Sequence, residues 1–594
     1  VPVHNADIAK VFEEIADLLD LQEANPFRVR AYRNAARTVG DLRVDIAQTV
    51  AEGKPLPKLP GIGEDLTAKI HEIVETGSTA LLDRLHKEMP SGITELLRIP
   101  GLGPKRVKHL WHDLDVQTLP QLQRAALDGR IRGLAGFGEK TETAILQAVE
   151  GQLTKKKRLK LAVAAQYAEP LAAYLRKGKG ARDVVIAGSY RRMKETVGDL
   201  DVLITSSEPQ AVMERFAKYP EVREMLASGS TRASALLQSG LQVDVRVVPE
   251  ESFGAALHYF TGSKAHNIAV RRLGQERGLK VNEYGVFKVG RNGAEERIGG
   301  DTEQSVYAAV DLPWIPPELR EDAGEIEAAR RGELPDLVTL KDLRGDLHAH
   351  TKATDGRNTL KEMAQAARAF GLDYLAITEH SRRVAMAHGL DPQRLAKQID
   401  EIDRLNAALD GIMLLKGIEV DILDDGTLDL PETSLASLDL VVGAVHSRFN
   451  LTRAQQTARI LKAMDAPYFS ILAHPSGRLI GEREPYDVDM LKILRKAKAR
   501  GISLELNAHP ERLDLIDTYC RMAKEEGVLV AISSDAHSTG DFENLRYGVG
   551  QARRGWLAAK DVLNTRRLAE LRPLLARAPG AESVAGRRNT KRAR

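Results

Sequence analysis

Two carboxylates one residue apart, Asp199 and Asp201, close the stretch Gly188-Ser189-Tyr190-Arg191-Arg192-Met193-Lys194-Glu195-Thr196-Val197-Gly198-Asp199-Leu200-Asp201. They open an apolar run, 200–204, that reads as a strand, and strand side chains two apart share a face. Like charges on one face repel unless a cation lies between them. A third acid, Asp244, sits in a second strand-like run, Leu241-Gln242-Val243-Asp244-Val245-Arg246. Upstream, Gly188 and Ser189 form a tight turn able to approach a phosphate, and Arg191 or Arg192 could pair with that phosphate. Turn, arginine and three acids point to a site for two divalent cations and a nucleoside triphosphate. For the Asp-x-Asp pair alone, a hairpin with solvated acids is the plain alternative.

A second set of donors lies in the C-terminal part of the chain. His348 and His350, Asp355, His380, Glu419, His446, His474, Asp535 and His537 are six imidazoles, two aspartates and a glutamate. His348-x-His350 places two rings on one face of an extended segment. Nine donors suffice for about three ions of four- to six-fold coordination if a carboxylate bridges two of them. Imidazole and carboxylate without cysteine suit Mn²⁺, Zn²⁺ or Fe²⁺. Arg382, Arg383, Arg448 and Arg478 follow ligand positions and are candidates to hold phosphate. His509 reads as a surface residue.

The elements that must position these residues follow from the apolar pattern. From 341 to about 575, strand-like runs near 343–346, 374–378, 413–417, 438–445, 469–472, 502–506 and 528–533 alternate with helical patterns. Such alternation argues for a parallel barrel, whose chemistry gathers at the strand C-terminal ends. Most of these runs end in a donor of the second set. In the first 150 residues an apolar-x-Gly-apolar-Gly pattern occurs three times, at Gly61 and Gly63, Gly101 and Gly103, and Gly136 and Gly138, each followed by a helical pattern. The glycines let the turn approach a phosphate and the next helix aims amides at it, which positions a nucleic acid without reading its sequence.

Composition sets the bounds. A chain of 594 residues with 43% hydrophobic and 28% charged residues is an ordinary multidomain globular sequence. No run of 18 apolar residues is present, so no membrane span is expected. The lone cysteine, Cys520, excludes an internal disulfide and suits a reducing compartment. The net charge is only +3, so basic character is local: Lys105 with Arg106 and Lys108, the run at 155–158, and the tail at 587–594.

The residues around Asp199 resemble the palm of the family X DNA polymerases, within the nucleotidyltransferase superfamily. The likeness extends to Tyr259-Phe260-Thr261-Gly262-Ser263, to Asn267 and Arg271, and to Val281-Asn282-Glu283-Tyr284-Gly285. It implies that Asp199, Asp201 and Asp244 hold two ions, Mg²⁺ or Mn²⁺, with Asp244 nearest the primer end. It implies that Gly188, Ser189 and Arg192 contact the triphosphate, and that Tyr259, Phe260, Gly262, Asn267 and Arg271 belong to the nucleotide pocket. Lys264 stands where the polymerase beta branch has an acid. The repeated glycine pattern is similar to the helix-hairpin-helix motif, which makes Gly61, Gly63, Gly101, Gly103 and Lys105 expected DNA-backbone contacts. By the same likeness Lys69 falls at the position of a lyase nucleophile, with Arg28, Tyr32 and Arg33 as a 5′-phosphate pocket. Asp65, one turn before Lys69, replaces a basic residue there and favours the charged ammonium over the reactive amine.

The C-terminal donors resemble the polymerase and histidinol phosphatase (PHP) domain, in Asp346-Leu347-His348-Ala349-His350, Thr378-Glu379-His380-Ser381, Glu419-Val420-Asp421, Ala444-Val445-His446-Ser447, Ala473-His474-Pro475 and Ser534-Asp535-Ala536-His537. That resemblance implies a trinuclear site in a distorted seven-stranded barrel. His348, His350, Glu419 and Asp535 would share one ion, Glu419, His446 and His474 a second, and Asp355, His380 and His537 a third.

The expected architecture is multidomain, α and α/β: a helical lyase-like domain (1–82), helix-hairpin-helix fingers (83–152), a palm (153–250), a thumb (251–318), a linker (319–340), the PHP barrel (341–575) and a basic tail (576–594). The expected function is a monomeric, cytoplasmic, nucleoid-associated repair polymerase. It would act on gapped or primer-template DNA with dNTPs and trim 3′ ends in the barrel. The alternatives are a DNA end-processing phosphoesterase or scaffold with a weak or inactive palm, and a small-molecule phosphatase.

Overall fold

A computed structural model describes residues 3–40, 42, 46–56, 59, 61–90, 92–154, 158–290 and 293–575. The basic positions 155–157, the basic tail 576–594 and Pro60 of the first glycine motif lie outside the described residues. The chain forms two compact units. One comprises Val1–Leu159, Val163–Ile186 and Thr196–Pro249, and the other Lys160–Ala162, Ala187–Glu195 and Glu250–Arg594.

The first unit begins with short helices around one continuous core that runs from Ile8, Phe12 and Ile15 to Ile145 and Val149. Each helix buries a 3.6-residue stripe; Leu66, Ile70 and Ile73 are the buried face of Glu64–Thr76. The rest of this unit carries a five-stranded sheet. Its strands are β1 (Ala181–Ile186), β2 (Asp199–Ser206), β3 (Val222–Ser228), β4 (Arg232–Leu237) and β5 (Gln242–Val248), in the order β1-β2-β5-β4-β3. β2 and β5 are parallel, and the other neighbours are antiparallel. Val243, Val245 and Val247 of β5 are buried while its alternate residues stay half-exposed, which leaves one face of the sheet for polar groups.

In the second unit, helices Phe253–Thr261 and Lys264–Glu276 precede a three-stranded antiparallel sheet of β6 (Leu279–Asn282), β7 (Gly285–Val289) and β8 (Glu295–Gly299). The stretch 319–340, expected to be a linker, is packed structure. Leu319, Ile326, Ala328, Ala329 and Leu337 join a core with Val270, Tyr307 and Trp556. Prolines ahead of an acidic helical pattern read as a linker, whereas Glu325–Arg330 is a short helix with Ile326, Ala328 and Ala329 buried.

The barrel consists of β9 (Gly345–Asp346), β10 (Tyr374–Ile377), β11 (Met413–Asp421), β12 (Leu440–Ala444), β13 (Phe469–Leu472), β14 (Ser503–Asn507) and β15 (Val530–Ser533). They are parallel and lie in sequence order. A parallel bridge between Ala349 and Ala536 joins the first and last edges, so the expected seven-stranded barrel forms. Alternate residues of the strands divide between two cores. Leu375 and Ile377 pack with residues of the surrounding helices, such as Met363 and Ile460. Tyr374 and Ala376 pack with Leu571 and Leu575 of the last helix, Leu568–Leu575.

Candidate active sites

The strand register decides how the palm acids are arranged. In the parallel pairing of β2 with β5, Asp201 lies directly opposite Asp244 and Asp199 opposite Gln242. Asp199 and Asp201, two apart on one strand, share a face, and all three acids are half-exposed. Asp244 is held from both sides: the Ser234 hydroxyl donates to Oδ1 and Gln242 Nε2 donates to Oδ2 at 2.9 Å. These bonds fix its orientation while leaving lone pairs free.

Gly188 adopts φ +62°, a conformation that favours glycine, and starts the short helix Gly188–Arg191. It is buried, and Ser189 is half-buried. The two arginines have separate employments. Arg191 forms a bidentate pair with Glu303 (2.7 and 2.8 Å), which also binds the buried Arg320 and the Trp314 indole. Burial alone would raise the Glu303 carboxyl, but Arg191 and Arg320 outweigh it and hold it far below the usual range. Arg192 donates from Nη1 to the Thr261 carbonyl and from Nε to Glu321 at 2.9 Å. Nearby, Asn267 donates to the Tyr259 carbonyl at 2.7 Å, and Arg271 stacks 4.8 Å above the Tyr259 ring. Gly262 is buried at φ +67°, and Tyr259 and Phe260 are half-buried.

The barrel brings all nine expected donors together. His348, His350 and Asp535 form one group, His350, Asp355, His380 and His537 another, and His380, Glu419 and His446 a third. Glu419 lies at the centre. Its Oε1 is 3.1 Å from His446 Nε2 and 3.0 Å from His474 Nε2, while Oε2 is 2.7 Å from His380 Nδ1 and 3.6 Å from His348 Nε2. Asp535 Oδ1 is 3.3 Å from His350 Nε2, and Asp355 Oδ2 is 3.3 Å from His380 Nε2 and 3.6 Å from His537 Nε2. Two donors on one tetrahedral ion at ~2.1 Å would stand about 3.4 Å apart. Every such donor group found among the described residues lies in the barrel.

The polar atoms in this cavity test whether ions fit. His348 Nε2, both nitrogens of His350, His446 Nδ1, His474 Nδ1 and Glu419 Oε2 are buried without a hydrogen-bond partner among the described residues. Each such orphan costs about 1–3 kcal/mol, and cations would satisfy those that face the carboxylates, His348 Nε2, His350 Nε2 and Glu419 Oε2. Protonation follows the same plan. Burial, then the neighbouring His537 and His380, pulls His350 down to about 4, leaving it neutral. Burial would also lower His380, but Glu419 and Asp355 outweigh it and bring it to about 10. Burial works against the Glu419 and Asp535 charges, yet the surrounding imidazoles hold both well below ordinary carboxyl values. An anionic centre ringed by imidazoles is the donor set of a divalent-cation site.

Several barrel residues outside the nine hold the donors in place. Glu505 of β14 is fully buried, with Oε1 2.6 Å from His348 Nδ1 and Oε2 accepting the His474 backbone N–H at 2.8 Å. Asn507 donates to Asp535 at 2.9 Å, and Asp421 Oδ1 lies 3.3 Å from His446 Nδ1. The signal for Glu505 was its place inside an apolar strand, Ile502-Ser503-Leu504-Glu505-Leu506, where an unpaired acid is costly. Arg478, expected as a phosphate holder, is committed elsewhere. It donates to the carbonyls of Arg512 and Leu513 and to Glu195 at 2.7 Å, and it is 9% exposed. Arg382, Arg383 and Arg448 are exposed, and His509 is half-buried.

In the helical region the glycine motifs share one geometry. Gly61, Gly101 and Gly136 have φ of +73°, +85° and +80°. Gly63 and Gly103 are extended N-caps of Glu64–Thr76 and Pro104–Leu114. Lys105 is exposed in the first turn of the second of these helices. Arg106 instead ties two motifs together, donating to the carbonyls of Gly101 (2.7 Å) and Gly136 (3.0 Å). Lys69 is 16% exposed at its side chain and its ammonium is bound to Asp65. Arg28 is exposed, whereas Tyr32 is 2% exposed and packs in the helical core, with its ring tilted against Phe12. A buried ring on the core side of its helix offers no face to DNA.

Family models match the chain along its length: a helix-hairpin-helix domain at 3–79, a SAM-like helix-hairpin-helix tandem at 93–150, the DNA polymerase beta palm at 162–272, the DNA polymerase beta thumb at 256–321 and the PHP domain at 346–535. The chain is 38% identical over 577 residues to the DNA polymerase/3′-5′ exonuclease PolX of Bacillus subtilis, covering 97% of this chain and 100% of that one. The chain belongs to the family X DNA polymerases that carry a C-terminal PHP domain.

Two further relatives each match part of this polymerase. DNA polymerase lambda of Rattus norvegicus is 25% identical over 344 residues, 54% of this chain and 56% of its own length. A probable phosphatase of Acetivibrio thermocellus is 31% identical over 201 residues, 32% of this chain and 78% of its own. The family X polymerase thus joins a palm and a PHP barrel in one chain, and none of its helices among the described residues is long and apolar enough to cross a membrane.

Proposed function

We propose that this protein fills short gaps in DNA and trims 3′ ends, using the palm for nucleotidyl transfer and the barrel for phosphodiester hydrolysis. The observation that carries the reading is the coexistence of two intact donor sets, the paired acids of β2 and β5 and the nine-donor barrel, in a chain that spans the whole length of a polymerase/exonuclease relative. Asp199, Asp201 and Asp244 would hold two ions, Mg²⁺ or Mn²⁺, which supply charge for the attacking and leaving oxygens. Gly188, Ser189 and Arg192 would receive the triphosphate, and Tyr259, Phe260, Gly262, Asn267 and Arg271 would shape the nucleotide pocket. In the barrel the nine donors would hold about three ions, Mn²⁺, Zn²⁺ or Fe²⁺, which polarise a phosphate and activate water. His350, neutral and buried, stays available as a ligand, while Glu419 orients His446 and His474.

The amides of the glycine motifs and Lys105 would grip the backbone of gapped or primer-template DNA, with dNTPs as the second substrate. We place the protein in the cytoplasm, on the nucleoid, as a monomer. A lyase step at Lys69 would require DNA to displace Asp65 from the ammonium.

Primer extension across a one-nucleotide gap and digestion of a recessed 3′ end test both halves. Asp199→Ala is expected to abolish extension and spare digestion, and His350→Ala to do the reverse. Extension unchanged in Asp199→Ala would defeat the palm assignment. Faster release of phosphate from histidinol phosphate than of nucleotides from DNA would move the barrel to small-molecule chemistry.

A further inference from the structure

The segment Ala187–Glu195 belongs to the same compact unit as the barrel, and the contacts that seat it there are ionic and directional. Arg554, the last residue of helix Leu545–Arg554, packs beyond β15 with a side chain only 5% exposed. Its Nη1 donates to the backbone carbonyl of Arg192 at 3.0 Å and to Glu321 Oε1 at 2.9 Å. Glu321 Oε1 in turn accepts from Arg192 Nε at 2.9 Å. The other end of the guanidinium is anchored on Asp517 at 2.6 Å. One arginine of the barrel therefore fixes both the main chain of Arg192 and the carboxylate that aims its side chain. A planar fork with donors on both edges suits a grip that spans Asp517 on one side and Glu321 with the Arg192 carbonyl on the other, a geometry that the point-like ammonium of a lysine does not reproduce.

Neighbouring contacts hold the same segment. Arg478 pairs with Glu195 at 2.7 Å, and the Leu161 amide donates to the Glu195 carbonyl at 2.9 Å. A Cβ placed on Gly550, in the helix that carries Arg554, would lie 2.5 Å from the tip of Met193. None of the hydrogen bonds and ion pairs of Arg554 among the described residues reaches one of the nine barrel donors.

We infer that Arg554 is a positioning residue for nucleotide binding: the PHP domain sets the triphosphate-binding segment of the polymerase through the Arg554–Glu321–Arg192 bridge. This rests on the reading of Arg192 as a triphosphate contact. Misplacing a binding group by about an ångström is enough to cost on the order of 10- to 100-fold.

Steady-state extension of a one-nucleotide gap by the full-length chain tests it, with melting temperature and recessed-end digestion measured on the same preparations. Arg554→Ala is expected to raise the KM for dNTP by about 10-fold or more, with kcat changed by less than about 3-fold. Digestion should stay within about 2-fold of wild type, because the variant touches none of the barrel donors. Arg554→Lys should recover part of the loss. Asp517→Asn, which loosens Arg554 without touching Arg192, should shift KM in the same direction by less. An unchanged KM in Arg554→Ala and Asp517→Asn, beside a wild type that extends the gap, overturns the inference alone. Parallel falls in KM-independent activity, digestion and melting temperature also overturn it, by reducing Arg554 to a general support. A wild type that does not extend the gap defeats the polymerase reading first.

Discussion

At the scale of single residues, the barrel separates donors that could hold an ion from groups that hold the donors. His348 presents its unbonded Nε2 toward Glu419 and Asp535 because Glu505 engages its Nδ1. The carboxylate fixes the tautomer and increases the ring's basicity. Glu505 also accepts the His474 N–H, so it needs both oxygens. Glu505→Gln keeps the shape but offers one acceptor and turns an amide donor against another donor. We expect metal affinity to fall about 10- to 100-fold, read as metal content after dialysis against a graded chelator, with gap extension unchanged. Equal metal retention would reduce Glu505 to a packing residue. Arg478 teaches the converse. Its place beside a ligand motif suggested phosphate, but Nε and Nη2 of its guanidinium are engaged by two carbonyls and Glu195.

At the scale of elements, the glycine motifs work as turns that start a helix at a defined point. Positive φ at Gly101 and an extended Gly103 leave the first amides of Pro104–Leu114 open for a phosphate. Lys105 is exposed beside them, whereas Arg106 is used to fasten the second motif to the third. These neighbours therefore predict different phenotypes. Lys105→Ala should weaken DNA binding equally for all sequences and reduce the slope of log K against log salt by about 1, as read from fluorescence anisotropy titrations at several salt concentrations. A sequence-dependent loss would contradict a backbone contact. The short strands of the barrel act in the same positional manner. β9 is only Gly345–Asp346, yet it aims His348 and His350 because Asp346, fully buried, accepts the His348 and Ser534 amides.

At the scale of the whole molecule, the second unit contains a concentration of buried charge that folding alone does not neutralise. Glu419, Asp535 and Asp355 face imidazoles, of which His348 Nε2 and both nitrogens of His350 are buried without a hydrogen-bond partner among the described residues. Ligands that bind only the folded state stabilise it by mass action, about 2.7 kcal/mol at a hundred times Kd. Stripping metal from the full chain should lower the unfolding temperature of this unit by roughly 3–5 °C, followed by differential scanning calorimetry, and Mn²⁺ or Zn²⁺ should restore it. In His350→Ala the gap between stripped and loaded protein should shrink. An identical scan with and without metal would argue that the cavity is satisfied by its own groups.

Much of this was legible in the sequence. The seven barrel strands, the glycine turns and the nine donors followed from periodicity and from residue types that are costly to bury without a purpose, properties carried by local spacing. The pairing of Asp201 with Asp244 was not local, since a strand declares its faces but not the register of its neighbour. Nor could spacing tell an exposed basic side chain from one that ties two loops together: Arg478 and Arg106 differ from Arg448 and Lys105 in what the fold brings within 3 Å of them. The segment 319–340 looked like a linker because its acids are conspicuous and its few apolar residues are not, until Trp556 and Tyr307 pack against them. Residue chemistry and short-range pattern thus determined which reactions this chain is equipped for. Tertiary structure alone decided which side chains remain free to take part, because hydrogen bonds and ion pairs between distant residues are settled only when the chain closes on itself.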